Sequence, residues 1–284
     1  MYRTLLVRLS AAVLVFAAAW AAYTQNQPAH RPATTQKVKD GLYMIAGEGG
    51  NVAVYLTDEG VILVDDMYDR NYSDIMAQVK SLTDKPVRYV LNTHQHDDHA
   101  GGNARMLPAA EVIAHRNVRV NMVTLKQPGL PRVTFTDDME VHLGGKEVRT
   151  RYYGRGHTNG DAVIYFPELK VIHTGDLFLT RPTLPFMDFA NGGSALEWTR
   201  TLDGIAKLDF DTIIPGHGPL SNRDGLMKWR ADFVTMRDRV GGMVRQGRGK
   251  DEISRTLVGD FGWPAGGLAI QQVDAFIAEM QPRP

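Results

Sequence analysis

Residues 93–99 read Thr93-His94-Gln95-His96-Asp97-Asp98-His99, and four of these side chains are well spaced to bind metal. Imidazole nitrogen and carboxylate oxygen are ligands that zinc and neighbouring transition metals accept. An apolar run over 87–91 precedes the stretch and predicts a buried strand, and Gly101-Gly102 after it predicts a turn. A strand that ends in this way can aim side chains into one site. The stretch therefore predicts a metal site rather than a polar loop that is merely rich in histidine.

The spacing within this stretch allows for two ions. In an extended segment, residues two apart point the same way, so His94 and His96 can bind one ion together. Once the chain turns, Asp98 and His99 can face a second ion. The residues alone thus predict a centre of one or two ions.

Four further markers surround the stretch. Upstream, the apolar run 61–64 ends in Asp65; downstream, His157 lies between Gly156 and Thr158. Asp176 follows the apolar run 171–172 and His173-Thr174-Gly175, and His217 lies between two glycines after Ile213-Ile214. Together with H-x-H-x-D-H at 94–99, these markers resemble the signature of the metallo-β-lactamase superfamily. The resemblance covers roughly residues 40–220, most of the chain after its N-terminal segment.

The resemblance implies both a fold and a set of metal ligands. The order of strands and helices by itself predicts only an α/β protein with two sheets. The resemblance adds that two mixed β-sheets pack face to face with helices outside, an αββα sandwich. The implied ligands are His94, His96 and His157 for one zinc ion, Asp98, His99 and His217 for the other, and Asp176 as a bridge between them.

The resemblance also implies a reaction. Two zinc ions would lie roughly 3.5–4 Å apart and share a hydroxide, because zinc lowers the pKa of bound water to about 7. This hydroxide would attack the carbonyl carbon of a β-lactam, a lactone or a thioester. Asp98 is the catalytic candidate, since it can orient the hydroxide. Asp65 either accepts a ring N–H from a ligand histidine or caps the end of its strand.

The first residues predict export. Arg3 and Arg8 precede an apolar run over 9–22, an order typical of a secretory signal peptide, here assigned to 1–23. The run is short for a bilayer-spanning helix, so an uncleaved membrane anchor is the alternative. Residues 24–37 predict a disordered linker and 38–284 the folded domain with C-terminal helices. The expected location is the periplasm or the exterior, without stable membrane association after cleavage.

Composition limits the partners. The formal net charge is +0, and no basic patch is interleaved with aromatic residues, which argues against nucleic acid and leaves a small-molecule substrate. The chain has no cysteine, so neither a disulfide nor the cysteine zinc ligand of some superfamily β-lactamases is available. The oligomeric state stays open.

Two other functions fit the same residues. A mononuclear iron persulfide dioxygenase shares the fold but binds its iron with two histidines and one aspartate. A non-enzymatic periplasmic metal-binding protein is expected to have lost ligands. The complete second ligand set favours the hydrolase. Asp176 resembles the thioester and lactone hydrolases rather than the cysteine-free β-lactamases, so the native substrate stays open.

The C-terminal half predicts helices and one apolar loop. Ser194 and Glu197 form a capping box, which predicts a helix from 195 to about 206. Further helices are predicted over 223–246, 251–259 and 268–280. The long loop 180–193 follows Asp176 and is apolar and aromatic. Three aromatic residues in this loop or just before it either line the pocket or pack over the core: Phe178, Phe186 and Phe189.

Overall fold

The computed structural model describes residues 32–180, 186–263, 265–266 and 271–281. The predicted signal peptide, 1–23, and most of the predicted linker lie outside the described residues. From Ala33 onward the chain forms one unit whose hydrophobic clusters are drawn from its own residues. Within the described parts of the chain, no helix combines the length and the apolar character needed to cross a bilayer.

The first sheet has seven strands in chain order, and its pairing changes from antiparallel to parallel in the middle. The antiparallel part consists of β1 (Thr34–Lys39), β2 (Leu42–Ala46), β3 (Val52–Leu56) and β4 (Val61–Val64). The strands that continue from β4 in parallel are β5 (Val87–Leu91), β6 (Glu111–His115) and β7 (Val133–Phe135).

The sequence prediction of a linker over 24–37 is wrong at its end. Residues 34–37 lie in β1, where Thr34 pairs with Ala46 and Gln36 with Met44. This edge strand is polar and largely exposed, so it lacks the apolar alternation that would reveal it. The folded unit therefore begins earlier than residue 38.

The second sheet has five strands in the order β12-β11-β10-β9-β8, and only β11 and β12 pair in parallel. Its strands are β8 (Asp138–Leu143), β9 (Lys146–Tyr152), β10 (Ala162–Phe166), β11 (Val171–His173) and β12 (Thr212–Ile214).

Helices cover the outer faces of both sheets. Those that follow strands of the first sheet are α1 (Tyr72–Leu82), α2 (Asp97–Ala100), α3 (Asn103–Met106) and α4 (Arg116–Leu125). Those associated with the second sheet are α5 (Ala195–Ile205), α6 (Arg223–Arg245), α7 (Lys250–Phe261) and α8 (Val273–Met280).

Alternate side chains along a strand belong to different layers of the core. In β10, Ile164 and Phe166 face the first sheet, while Val163 packs toward the helices that include α5 and α6. Successive side chains on a strand point to opposite faces, so one apolar strand can serve both layers. The predicted αββα sandwich is confirmed.

The helix start predicted from Ser194 and Glu197 is confirmed at α5, but only the serine half of the capping box forms, because the Ser194 backbone N–H donates to the Gly156 carbonyl oxygen. The Ser194 hydroxyl accepts a hydrogen bond from the Glu197 backbone N–H at 3.1 Å, which satisfies one of the free donors of the first turn. Trp198 on this helix is fully buried and packs against Trp229 and Phe233 of α6. The helix is thereby fixed beside the loop that carries His157, because the Trp198 indole also lies near that ring.

Candidate metal centre

The structure brings all seven predicted ligands together, each from a segment that follows a strand. Side chains at the ends of neighbouring strands converge at one edge of a sheet sandwich. Three groups of them have their ligand atoms within 4.8 Å of one another. These groups are His94, His96 and His157; His94, His99 and Asp176; and Asp98, His99 and His217.

Three imidazoles form the first side of the centre. His96 Nδ1 lies 3.1 Å from His94 Nε2 and 2.9 Å from His157 Nε2. His94 and His96 leave the end of β5, as their spacing predicts, and His157 lies in the loop between β9 and β10. The three ring nitrogens therefore point at one small volume.

The second side combines two imidazoles and a carboxylate. His217 Nε2 lies 3.3 Å from His99 Nε2 and 3.1 Å from Asp98 Oδ2. Asp98 and His99 lie in the one-turn helix α2, and His96 is its N-cap residue with extended backbone. The change from strand to helix at His96 is what turns Asp98 and His99 away from the first group.

Asp176 lies between the two sides. Its Oδ1 is 3.2 Å from His99 Nε2 and 3.5 Å from His217 Nε2, and its Oδ2 is 3.7 Å from His157 Nε2. The residue belongs to a 3-10 turn, Gly175–Leu177, directly after β11. One carboxylate thus faces both groups of histidines with a different oxygen.

Hydrogen bonds fix which nitrogen of each ring faces the centre. His99 Nδ1 donates to Asp65 Oδ2 at 2.8 Å, and His94 Nδ1 donates to the Thr93 hydroxyl at 3.0 Å. The Thr93 hydroxyl in turn donates to Asp65 Oδ2 at 2.8 Å. Of the two roles expected for Asp65, the structure has the one in which it accepts a ring N–H. The other nitrogen of each ring then faces the centre, in the position from which it can bind a metal once it is free of its proton.

Asp65 itself has an unusual backbone. Its φ of 63° lies in the left-handed region that residues other than glycine rarely occupy. The Thr93 backbone N–H donates to Asp65 Oδ1 at 2.7 Å and holds the carboxylate in place. Strained backbone of this kind is concentrated at functional sites.

Asp188 is a site residue that the sequence reasoning missed. His96 Nε2 donates to Asp188 Oδ2 at 2.8 Å, which leaves His96 Nδ1 to face the centre. Asn191 Nδ2 donates to the same oxygen at 2.6 Å. Asp188 lies 92 residues from His96 in the chain, in the apolar loop after Asp176, so no local pattern reveals it. The His157 ring is held in the same loop, because its Nδ1 donates to the Phe186 carbonyl oxygen.

Burial and neighbouring charges set the protonation of Asp176, Asp98 and His157. Burial raises the pKa of Asp176, but His99 and His217 outweigh it and hold that pKa well below its usual range. Burial likewise opposes ionisation of Asp98, yet His99 and His217 lower its pKa to about 2. Burial, with the nearby His96, lowers the pKa of His157 to about 4. At neutral pH the acids are therefore ionised and His157 is neutral, the states in which these groups bind metal.

The pKa of His99 is raised, like that of His217 and unlike those of His94 and His157. Burial disfavours the charged form of His99, but the Asp176 and Asp98 carboxylates raise its pKa well above the usual range. Opposite charges this close favour the proton on the ring. A divalent cation that took the place of this proton would satisfy the same carboxylates, so metal binding would release a proton.

The spacing of the donors fits a transition-metal ion. Ligands bound tetrahedrally to zinc at about 2.0–2.1 Å are about 3.3 Å apart, close to the 2.9–3.3 Å between the ring nitrogens here. The backbone also leaves room only for glycine beside the donors. A Cβ at Gly216 would lie 2.0 Å from Asp176 Oδ1, and one at Gly50 would lie 2.2 Å from His99 Cε1. The residues present therefore fit a metal centre with nitrogen and oxygen ligands.

The three aromatic residues that follow Asp176 differ in role: one lies at the edge of the centre, and two pack in or against the core. The Phe186 ring lies 5.8 Å from the rings of His96 and His157, at the edge of the centre. Phe178 is buried in the core against Trp229, and Phe189 packs near Phe276 of α8. Only Phe186 therefore touches the candidate site.

The remaining described histidines stay outside the centre. His173 is buried, and its Nε2 donates to the Asn51 carbonyl oxygen at 2.9 Å. His115 stacks on Tyr152, and His142 is exposed with 65% of its side chain accessible. Asp97 is exposed and accepts a hydrogen bond from Gln127, so it faces away from the ligand cluster.

An αββα sandwich with this group of donors at the edge of its strands is the architecture of a metal-dependent enzyme. The chain belongs to the metallo-beta-lactamase superfamily, whose sequence model matches residues 46–217. It is 30% identical over 209 residues to the 2,4-dinitroanisole O-demethylase subunit alpha of Nocardioides sp. (strain JS1661), covering 70% of this chain and 61% of that subunit.

Further relatives carry β-lactamase names. The metallo-beta-lactamase type 2 of Bacillus cereus is 26% identical over 191 residues, which cover 65% of this chain and 72% of that enzyme. The solved structure of the metallo-beta-lactamase from Pontibacter korlensis superposes with a TM-score of 0.62 at 21% identity, covering 70% of this chain and 97% of that one. At that identity the superposition supports the fold alone.

Proposed function

We propose that this chain is an exported dinuclear zinc hydrolase that cleaves a carbonyl substrate: a β-lactam, a lactone or a thioester. The observation that carries the proposal is the position of Asp176, whose two oxygens face the two groups of histidines. A single ion needs only one of these groups, whereas a carboxylate between both is the arrangement that a pair of ions uses. Export rests on the basic and apolar pattern of residues 1–23.

The two groups of donors are the proposed ligand sets. Each provides three protein ligands and leaves room for water or substrate, as catalytic zinc sites do. When bound, a pair of zinc ions supplies a nucleophilic water at neutral pH and polarises the substrate carbonyl. The proposed ligands are His94, His96 and His157 for the first ion, Asp98, His99 and His217 for the second, and Asp176 for both.

The remaining residues orient the reacting groups. The Asp98 side chain is 24% exposed, more open than those of His99 and His217, so it can accept a hydrogen bond from the attacking water and orient it. The Phe186 ring offers an apolar wall beside His96 and His157, against which the non-reacting part of a substrate can pack. Asp65 and Asp188 accept hydrogen bonds from the ligand rings. Such partners fix the orientation of the rings and raise the affinity for the metal.

The fold does not select among the substrates. The relatives named above include a β-lactamase and an O-demethylase subunit, so members of the superfamily with related sequences act on different bonds. The first experiment is therefore a substrate panel of a β-lactam, a lactone and a thioester. We expect hydrolysis of at least one of them, loss of activity with a chelator and recovery with added zinc. Activity that survives removal of metal would contradict the proposal.

Replacing Asp188 by alanine should weaken zinc binding by about 10–100-fold, because the His96 ring loses the partner that fixes its orientation. Competition with a chromophoric chelator measures this affinity. The matched variant Asp188→Asn keeps an accepting oxygen in the same position and should lose less. Unchanged zinc affinity in Asp188→Ala would show that Asp188 does not support the centre.

A further inference from the structure

The outer face of α4 has an unusual combination of side chains. Six large apolar side chains are strongly exposed among the described residues, and three of them lie within six positions on this helix: Val120 at 54%, Val123 at 55% and Leu125 at 47%. On a helix, positions 116, 119, 120 and 123 share one side. We call this surface the α4 patch; its members are Arg116, Arg119, Val120 and Val123 on that side, with Leu125 and Lys126 at the C-terminal end of the helix.

The α4 patch is also basic. Arg116, Arg119 and Lys126 are all exposed, and none of the three forms an ion pair with any residue that the structure describes. The segment 116–136 contains no acidic residue, although the formal net charge of the whole chain is +0. The C-terminal end of α4 approaches Asp97, whose carboxylate accepts a hydrogen bond from Gln127. The positive charge is thus local and is not part of a general charge of the protein.

The helix is held firmly from its inner side. Val118 and Met122 pack under it together with Ala114 of β6. Asn121 Nδ2 donates to Gln95 Oε1 at 3.1 Å, and Asn117 Nδ2 donates to the Asn159 carbonyl oxygen at 2.7 Å. Gln95 lies between His94 and His96, so the helix that presents the patch also supports the ligand stretch.

We propose that the α4 patch docks reversibly on a membrane surface that contains anionic phospholipid. Arg119 Nη1 donates to the Pro131 carbonyl oxygen at 2.7 Å, and no acidic side chain neutralises its charge. Exposed valines beside cationic side chains without an ion pair match an interface of acyl chains and phosphate groups. A second copy of the chain is a poor occupant, because a twofold contact would oppose the same three cations. The proposal replaces the expectation, drawn from the sequence, that the chain leaves the membrane once its N-terminal segment is removed. It does not depend on the proposed hydrolase activity.

The test uses the unit from Ala33 onward, so that the apolar residues 9–22 cannot cause binding. Its cosedimentation is measured with phosphatidylcholine vesicles that contain or lack phosphatidylglycerol. We expect binding only with phosphatidylglycerol and release at high salt, because surface charge attraction is screened. Absence of binding to the anionic vesicles would overturn the proposal.

Paired variants distinguish vesicle binding through the α4 patch from binding through the overall charge of the protein. The pair Arg116→Gln and Lys126→Asn should reduce binding by about fivefold for each charge removed, on the order of 25-fold together. The control pair Arg200→Gln and Lys207→Asn removes the same charge from exposed positions elsewhere and should bind as the parent does. An equal loss in both pairs would overturn the assignment to α4.

The apolar part of the α4 patch needs its own comparison. Val120→Ser with Val123→Ser should weaken binding to anionic vesicles severalfold, whereas Leu196→Ser with Met227→Ser, two other exposed apolar positions, should not. Circular dichroism and zinc affinity check that each variant stays folded. Two results would assign the patch to another partner and overturn the proposal. One is a dimer in light scattering that the valine variant dissociates; the other is equal binding to immobilised polyglutamate that the valine variant leaves unchanged.

Discussion

The variant His96→Ala should lose about a thousandfold in kcat/KM while keeping its fold. Its ring supplies the nitrogen that lies nearest to both His94 and His157, so its loss opens the first ligand group. Charge stabilisation by a bound ion contributes several kcal/mol to such reactions, and about 4 kcal/mol corresponds to about a thousandfold in rate. Steady-state kinetics on the best substrate of the panel measures the loss.

The fold of His96→Ala should survive, because His96 is partly exposed at the mouth of the site and packs into none of the hydrophobic clusters. Thermal unfolding followed by circular dichroism checks this. The matched control is His142→Ala, which removes an exposed histidine from β8 and should leave turnover unchanged. Near-parental turnover in His96→Ala would remove the first ligand group from the account.

The variant Asp176→Ser should keep one tightly bound ion and bind the second much more weakly. A serine hydroxyl is a far poorer ligand than a carboxylate, and it is too short to reach both His99 and His157. Hydrolysis should fall most for substrates whose leaving group needs stabilisation. The substitution makes the set of metal ligands resemble that of the cysteine-free β-lactamases. Activity on a β-lactam should therefore fall less than activity on a thioester. Metal titration and both assays are run on the same preparation.

The control for Asp176→Ser is Asp97→Ser, which changes an exposed carboxylate that faces Gln127 instead of the centre. This variant should bind two ions as the parent does. If Asp176→Ser also binds two ions with parental affinity, Asp176 is not a ligand, and the bridging role has to be abandoned.

The elements around the site could be predicted from the sequence because their signals are local. The apolar run at 61–64 and that at 87–91 match β4 and β5, and Ser194 caps α5 as its spacing predicts. The strands β1 and β7 have no such signal. β1 is a polar edge strand, and β7 is three residues long with a single buried residue, Phe135.

The metal-ligand residues of the centre could be predicted from the sequence, whereas the residues that hold their rings in place could not. Histidine and aspartate in fixed order carry the resemblance, and the structure brings those side chains together. Asp188 and the Phe186 carbonyl act on His96 and His157 across long chain separations, through a loop whose apolar composition suggests only packing. Such contacts depend on tertiary structure and have no counterpart in local spacing. Nearness in sequence to a ligand can also mislead: Phe178 lies two residues after Asp176, yet its side chain is buried in the core.

The most direct test of the account is the metal content of the purified chain, measured by elemental analysis after loading and removal of excess metal. Two complete groups of donors with a carboxylate between them predict two zinc ions per chain, and activity that rises with zinc occupancy. A single iron per chain, with zinc unable to support activity, would contradict the account and favour a mononuclear iron dioxygenase of the same fold.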